Sequence, residues 1–538
     1  MALFDIFRRN QWPPDRQSPP WGSAPSIHDH IAAHIEPDRP VGLSDAGYEL
    51  PDDHPPIEGA LTYAPGALDG ILGHHAGSKS EDQLSADTYE ALKAATTDAS
   101  AQNLAALYRV IKDNNALGVV DPVLERMVKD NEINPARLGE IAEWFVTKAA
   151  DREPVKFMMA MLGAISGRDD SNLFLTLGRH DEFTLYSAAA IAMQSPYPET
   201  EIFKLAKSAE GWGRINTVER LAGATQPEIK EWLLREGYKN NVMYEYLACI
   251  CARAGELHSA LAAEVIGDGL FDAAFDLIEA LLSGEGGPAE GLSDYEHGCA
   301  AIGRFLYHGQ KRFGTAGHYW LLFKLKERLD AHLSGANKMD QDWTAAKTKA
   351  IVATLDAELS DAKWPSVISR ALAEGERQEF WSASRVSASL GIDPWPNFYQ
   401  RTEAGEDYWW DLMRGADDTR IDQVLELAEK RIPLDLIGTG PAKSMGMGSE
   451  FAAHGALDFI LQELDKFPGK GWKFVKTGLQ SPVIRNRNMA IRALTGWGRE
   501  NWPQGAISLI EGAISVEPDP SVKDRLTALL GTSTPRNS

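Results

Sequence analysis

Short amphipathic segments recur along this sequence at a spacing that few architectures satisfy. Leu104, Leu107, Tyr108 and Ile111 fall at i, i+3, i+4 and i+7. So do Met158, Met161, Leu162 and Ile165, then Ile421, Val424, Leu425 and Ala428, then Leu457, Ile460, Leu461 and Leu464. Each set forms one apolar stripe of helical period. Turn punctuation at Gly167-Arg-Asp-Asp, Ser195-Pro-Tyr-Pro, Gly223-Ala-Thr-Gln-Pro and Gly255-Glu-Leu divides these helices. Second helices of successive pairs are expected to begin near Val155, Glu182, Trp212 and Val242, separated by 27, 30 and 30 residues. In that register Ala188 aligns with Val218 and Ala248, and Ala192 with Ala222 and Ala252, so small residues recur where neighbouring helices touch. A helix pair of about thirty residues cannot bury its own stripe and needs a neighbour on each side, which predicts an all-α solenoid of stacked antiparallel pairs. The pattern returns near the C-terminus as five expected helices, Leu457 to Leu464, Trp472 to Leu479, Pro482 to Trp497, Gly505 to Ile514 and Val522 to Leu530. No alternating window bounded by turn signals competes with them, so no sheet is expected.

The first eighty residues are of another kind. Between Asn10 and Ser80 lie 11 of the 29 prolines and six of the 13 histidines. Each proline removes an amide donor and biases its predecessor to extended conformations, so a disordered stretch or an extended arm laid over the body is expected. Residues 1–9 differ, with Leu3, Phe4, Ile6 and Phe7 on one side of a short amphipathic helix suited to docking on the body or a partner. The resulting division is a helix at 1–9, a Pro/His-rich arm or linker at 10–84, helical repeats at 85–335 and 336–531, and a disordered tail at 532–538. With 54 basic against 77 acidic residues the net charge is −23, too acidic overall for a general nucleic-acid binder. Three cysteines, Cys249, Cys251 and Cys299, cannot form a disulfide framework. No segment has the ~18 apolar residues of a membrane span, and the N-terminus does not resemble a secretory signal, so a cytoplasmic protein is expected.

The strings Glu182 to Ala192 and Ser481 to Leu494 look like second helices of HEAT repeats. Gly211-Trp-Gly-Arg-Ile-Asn-Thr-Val-Glu-Arg-Leu, Glu228-Ile-Lys-Glu-Trp-Leu-Leu-Arg-Glu-Gly and Gly438-Thr-Gly-Pro-Ala resemble a bacterial HEAT-like family whose members are often labelled limonene hydroxylase. The resemblance spans roughly Asp98 to Leu530. It implies a HEAT-like solenoid and, by the label, a monooxygenase.

Oxygen activation by an enzyme needs a flavin, a haem or iron, and the sequence holds none of their traces. There is no Gly-x-Gly-x-x-Gly after a strand, no Gly-x-Ser-x-Gly and no His-Glu-x-x-His. No cofactor and no resident metal are therefore expected. Gly438, Gly440, Lys443 and Ser444 come nearest to a phosphate loop. Ala442 stands where glycine must precede the lysine, and Pro441 removes an amide, so an inter-repeat loop is the preferred reading. Glu450, His454 and Asp458 share a helix face at i, i+4 and i+8, which suits an acid–base pair or a metal as well as a solvated stripe. His28, His30 and His34 form a further weak cluster in the arm.

Two surfaces point to binding. From Lys466 to Arg499 there are eight basic residues and no acidic one. Arg485, Arg492 and Arg499, seven apart, are expected to form a ridge with Asn488, read first as an exposed face balancing acidic neighbours and otherwise as a contact for an acidic protein segment or, less favoured, nucleic acid. Arg487 points with the apolar set and reads as a paired structural arginine. The second surface carries Trp381, Trp395, Phe398, Tyr399, Tyr408, Trp409 and Trp410 among carboxylates, a composition that holds a cationic or peptide ligand or fills an inter-helix gap. The preferred function is a non-enzymatic scaffold that binds a protein or peptide, ahead of a hydroxylase or a nucleic-acid binder.

Overall fold

A computed structural model describes residues 19–36, 42–53, 64–71, 82–284 and 289–531. The amphipathic segment expected at 1–9 and the tail at 532–538 lie outside the described residues. The described residues form 29 α-helices. Among the described residues β-pairing is confined to single bridges, Ile35 with Leu43 and Ser444 with Val483. The fold is the expected all-α solenoid. Two compact units are formed, Met1–Phe313 with Leu321–Asp361, and Gly314–Trp320 with Ala362–Ser538.

In the first unit the second helices Arg152–Gly163, Asp181–Gln194, Gly211–Glu219 and Glu245–Ala254 each pack on the next. Their partners Pro135–Lys148, Ser171–Leu177 and Pro198–Ser208 flank the row. Helix Pro135–Lys148 starts where it does because Asn134 Oδ1 accepts from the amides of Ala136 and Arg137, 3.0 and 3.2 Å away. In Arg152–Gly163 the side chains of Val155, Phe157, Met158, Met159, Met161 and Leu162 are all fully buried, so this helix is enclosed all round by its neighbours. Burying one such side chain is worth roughly 1.5–3 kcal/mol. The row closes tightly because its contact points carry small residues. A Cβ on Gly163 would lie 2.7 Å from Ala190 Cβ, and one on Gly213 would lie 2.7 Å from Thr184 Oγ1.

The described parts of the Pro-rich arm lie on this unit. They also contain short helices, contrary to the expectation that prolines would exclude them. Helix Ile27–Ala33 fits between Pro25 and Pro37, with Ser26 capping it, and buries Ile27 and Ile31. The Ile27 amide donates to Ala149 O at 3.0 Å, and Ser26 Oγ donates to Thr147 O at 2.7 Å.

In the second unit the C-terminal helices are Ala452–Glu463, Trp472–Leu479, Ile484–Trp497, Ala506–Val516 and Pro520–Gly531, close to the five expected spans. Ala452–Glu463, Ile484–Trp497 and Pro520–Gly531 stack in one row, with Trp472–Leu479 on Ala506–Val516 beside it. Arg487 is fully buried. Its Nε and Nη2 donate to the two oxygens of Glu517, each at 2.8 Å, and Nη1 donates to Ser481 O at 2.8 Å. This is the structural pairing its position on the apolar face predicts.

Candidate functional site

His454 and Asp458 do face one way, but into the protein. His454 Nδ1 lies 3.1 Å from Ser481 Oγ and 3.0 Å from Asn486 Oδ1. Asn486 Nδ2 donates to His454 O at 2.8 Å and to Asp458 Oδ1 at 3.2 Å. Arg485 closes the set with an ion pair to Asp458. Burial raises the Asp458 carboxyl above its ordinary range, against the pull of Arg485 and Asn486. The group ties helix Ala452–Glu463 to Ile484–Trp497. Glu450 is not brought to it, because it sits exposed on the short turn Ser449–Phe451 that precedes the helix. Ser481 is fully buried, so the Ser–His contact has no substrate access.

The glycine loop is pinned to the chain that follows Leu479. The amide of Gly440 donates to Gln480 O at 2.8 Å, that of Ser444 to Pro482 O at 3.3 Å, and that of Ile484 returns to Ser444 O at 3.1 Å. Amides spent on carbonyls cannot wrap a phosphate. Gly440 and Gly448 have φ of 108° and 103°, which this tight path requires. Lys443 is exposed on the loop.

The basic segment meets acidic neighbours along its length. Lys466 pairs with Glu463, Lys470 with Asp422 at 2.7 Å, Lys473 with Glu429 at 3.5 Å, and Arg492 with Asp465 at 3.2 Å. Arg485 is engaged by Asp458 and Arg487 by Glu517. Asn488 Oδ1 accepts from Arg525 Nη1 at 3.2 Å. Arg499 is not on the ridge helix. That helix ends at Trp497, Gly498 follows at φ +73°, and Arg499 donates to Leu530 O at 3.3 Å.

The aromatic residues divide into filling and surface. Trp395 is buried, donates from Nε1 to Leu412 O at 3.1 Å, and lies 5.5 Å from the Tyr399 ring. Phe380, Phe398 and Tyr408 form a triangle with centroids 5.1–5.3 Å apart. Trp409 is buried beside Leu412 and Met413 on the short helix Trp409–Arg414. Trp381, at 37% exposed, and the half-buried Trp410 belong instead to an outward ladder. Trp320 meets Trp381 edge-on at 5.3 Å. The Arg385 guanidinium lies 5.5 Å from the Trp381 ring and 5.8 Å from Trp410, and Arg414 lies 4.6 Å from Trp410. Trp381 and Arg385 are i, i+4 on helix Arg377–Val386, and Trp410 and Arg414 are i, i+4 on Trp409–Arg414, so each pair shares a face. Burial raises the Asp411 carboxyl, against the pull of Arg385 and Arg414. Sequence reading did not single out Trp320, Arg385 or Arg414. The i, i+4 Trp–Arg spacing is the signal that identifies the two arginines, whereas Trp320 lies on a separate helix.

The remaining candidates are closed. All three cysteines are buried and free, and burial pushes the Cys249 thiol up to about 12. The His30 and His34 rings lie 4.4 Å apart and tilted, but His34 Nδ1 bonds to His30 O and His30 Nε2 to Ala46 O. Among the described residues no group of three or more His, Cys, Asp or Glu is placed to hold a metal. Among them, too, no helix is long and apolar enough to cross a membrane.

No protein-family model matches the chain, and no curated protein matches it. A solved structure described as a "circular tandem repeat protein with novel repeat topology and enhanced subunit contact surfaces" is 14% identical, covering 87% of this chain and 95% of its own, with a TM-score of 0.12. The string Gly211-Trp-Gly, which carries part of the hydroxylase-family resemblance, serves packing. Gly213 abuts Asp181 and Thr184, and Trp212 abuts Gly70.

Proposed function

We propose that this helical-repeat protein is a non-enzymatic scaffold that holds a protein segment on the ladder Trp320, Trp381, Arg385, Trp410 and Arg414. The observation that carries this reading is the grouping of partly exposed indoles with exposed guanidinium groups brought together from three helices. Tryptophan and arginine are the residues most enriched in interface hot spots. The Trp381 and Trp410 rings, which would receive a cationic ligand, already carry the protein's own Arg385 and Arg414. The complementary partner is therefore a protein segment offering an apolar side chain beside a carboxylate.

The test is affinity capture with mass spectrometry, using the intact chain, Trp381→Ala/Trp410→Ala and, as a control on another surface, Arg492→Glu. A partner held by the first and third and lost by the second, whose helicity is unchanged, supports the reading. Equal capture by all three sinks it. Each indole is expected to contribute about 2 kcal/mol to affinity, roughly thirty-fold.

A further inference from the structure

The arm does not merely rest on the first unit. It crosses the N-terminal ends of three successive second helices and meets each with a polar or close backbone contact. At Arg152–Gly163, Asp52 Oδ2 accepts from the Arg152 amide at 2.8 Å and from its Nε at 3.0 Å, while Asp53 also pairs with Arg152. At the same helix Asp69 Oδ2 lies 2.9 Å from Lys156 Nζ, and both groups are almost completely buried. At Asp181–Gln194, the Gly66 amide donates to Glu182 Oε1 at 3.2 Å, and His180 Nε2 donates to Tyr48 O at 3.3 Å. At Gly211–Glu219, Gly70 presses so closely on Trp212 that a Cβ there would lie 2.2 Å from the ring.

The body keeps its own carboxylates here, Glu153 at 3.1 Å and Glu182 at 2.6 Å from Lys156 Nζ. Burial alone would lower the Lys156 ammonium, but these two and Asp69 hold it above its ordinary value. Around Arg152 and Lys156 the body supplies two carboxylates, Glu153 and Glu182, so these four groups balance without the arm, and the helix N-termini add positive potential. The arm brings Asp52, Asp53 and Asp69, so what the track accepts is an acidic, extended segment. Beside the Arg152 end of the track a cavity of about 380 Å³ remains between Pro20, Trp21 and Asp52 of the arm and Tyr108, Lys112 and Asp151 of the body.

We infer that this row of helix ends is a binding track for an acidic, extended protein segment, and that the arm is its intramolecular occupant, holding the track closed until a competing segment displaces it. The track belongs to the first unit and the aromatic ladder to the second.

The probe is a labelled peptide of residues 42–71 added to the full-length chain. The wild type, whose track is occupied, should bind it weakly. In Asp52→Asn/Asp69→Asn/Gly70→Val the resident arm is weakened, and the peptide should bind at least ten-fold more tightly. Adding Arg152→Gln to that variant should abolish the gain. Equal binding to the wild type and a helical arm variant overturns the proposal, as does a gain that survives Arg152→Gln. Should the arm variant lose its helicity, hydrogen exchange on the wild type decides. Amides of Ile27 and Gly66 should exchange at least ten-fold faster than those inside Asp181–Gln194. Equal protection makes the arm a permanent part of the core and overturns the track.

Discussion

His180 shows how a single buried side chain can make stability depend on pH. It caps helix Asp181–Gln194 by accepting from the Glu182 amide at 3.2 Å, which requires the neutral ring. Burial pushes its pKa down to about 4 from 6.5. Between those values the unfolded chain binds the extra proton, so stability rises with pH across that window and is lost as pH falls through it. The contribution is at most about 3 kcal/mol. The difference in urea midpoint between pH 7 and pH 4.5 should therefore shrink in His180→Asn, which retains a capping oxygen. The neighbouring Asp181 has the opposite sign. Burial, with Glu210 and Glu182 nearby, raises its carboxyl well above the ordinary range, and Oδ1 has no hydrogen-bond partner. A group of this kind favours the folded state only while protonated, and that contribution is lost as pH rises. Asp181→Asn should stabilise the protein at neutral pH by about 1–2 kcal/mol, read from thermal unfolding, with the gain vanishing in acid.

At the scale of helices, spacing of small residues controls how closely one repeat approaches the next. Gly163→Ala gains about 1 kcal/mol of helix propensity but drives a methyl into Ala190. The net expectation is destabilisation by about 1–2 kcal/mol in denaturant titration. In the second unit, Arg487→Met leaves Glu517 buried and unpaired and should cost about 3–5 kcal/mol, while Arg487→Met with Glu517→Gln should recover most of it. These elements were largely legible in the sequence. The i, i+3, i+4 stripes marked the helices, the thirty-residue spacing marked the second helices, and the position of Arg487 on the apolar face marked its buried pairing. The Asp458–Asn486–His454 group was not legible as one unit, because its members lie on two helices and each alone reads as a polar surface residue. Lys156, set in Pro154-Val-Lys-Phe-Met-Met159, likewise gives no local sign of burial, since its partner Asp69 lies in the arm.

For the whole molecule, net charge and local charge point to different partners until the ion pairs are known. The run from Lys466 to Arg499 looks like an anion-binding stripe in sequence, yet carboxylates at Glu463, Asp422, Glu429, Asp465, Asp458 and Glu517 neutralise most of it. A protein of net charge −23 with its basic run so compensated should pass through a DNA column unretained even at about 50 mM salt. Salt-sensitive retention there would restore the nucleic-acid reading. The exposed pairs among them, such as Lys470 with Asp422 and Lys473 with Glu429, contribute little to stability, about 0–1 kcal/mol each. Their importance lies in what they withhold from a ligand.

The sealed ammonium of Lys156 also makes the chain its own position sensor. Acylating reagents attack a free, uncharged amine, and this one is both shielded from solvent and held protonated by three carboxylates. With the Pro-rich segment seated, it should stay unmodified while surface lysines such as Lys443 react. Acetyl label at that single position would therefore time-stamp each lifting of the segment, without any engineered reporter.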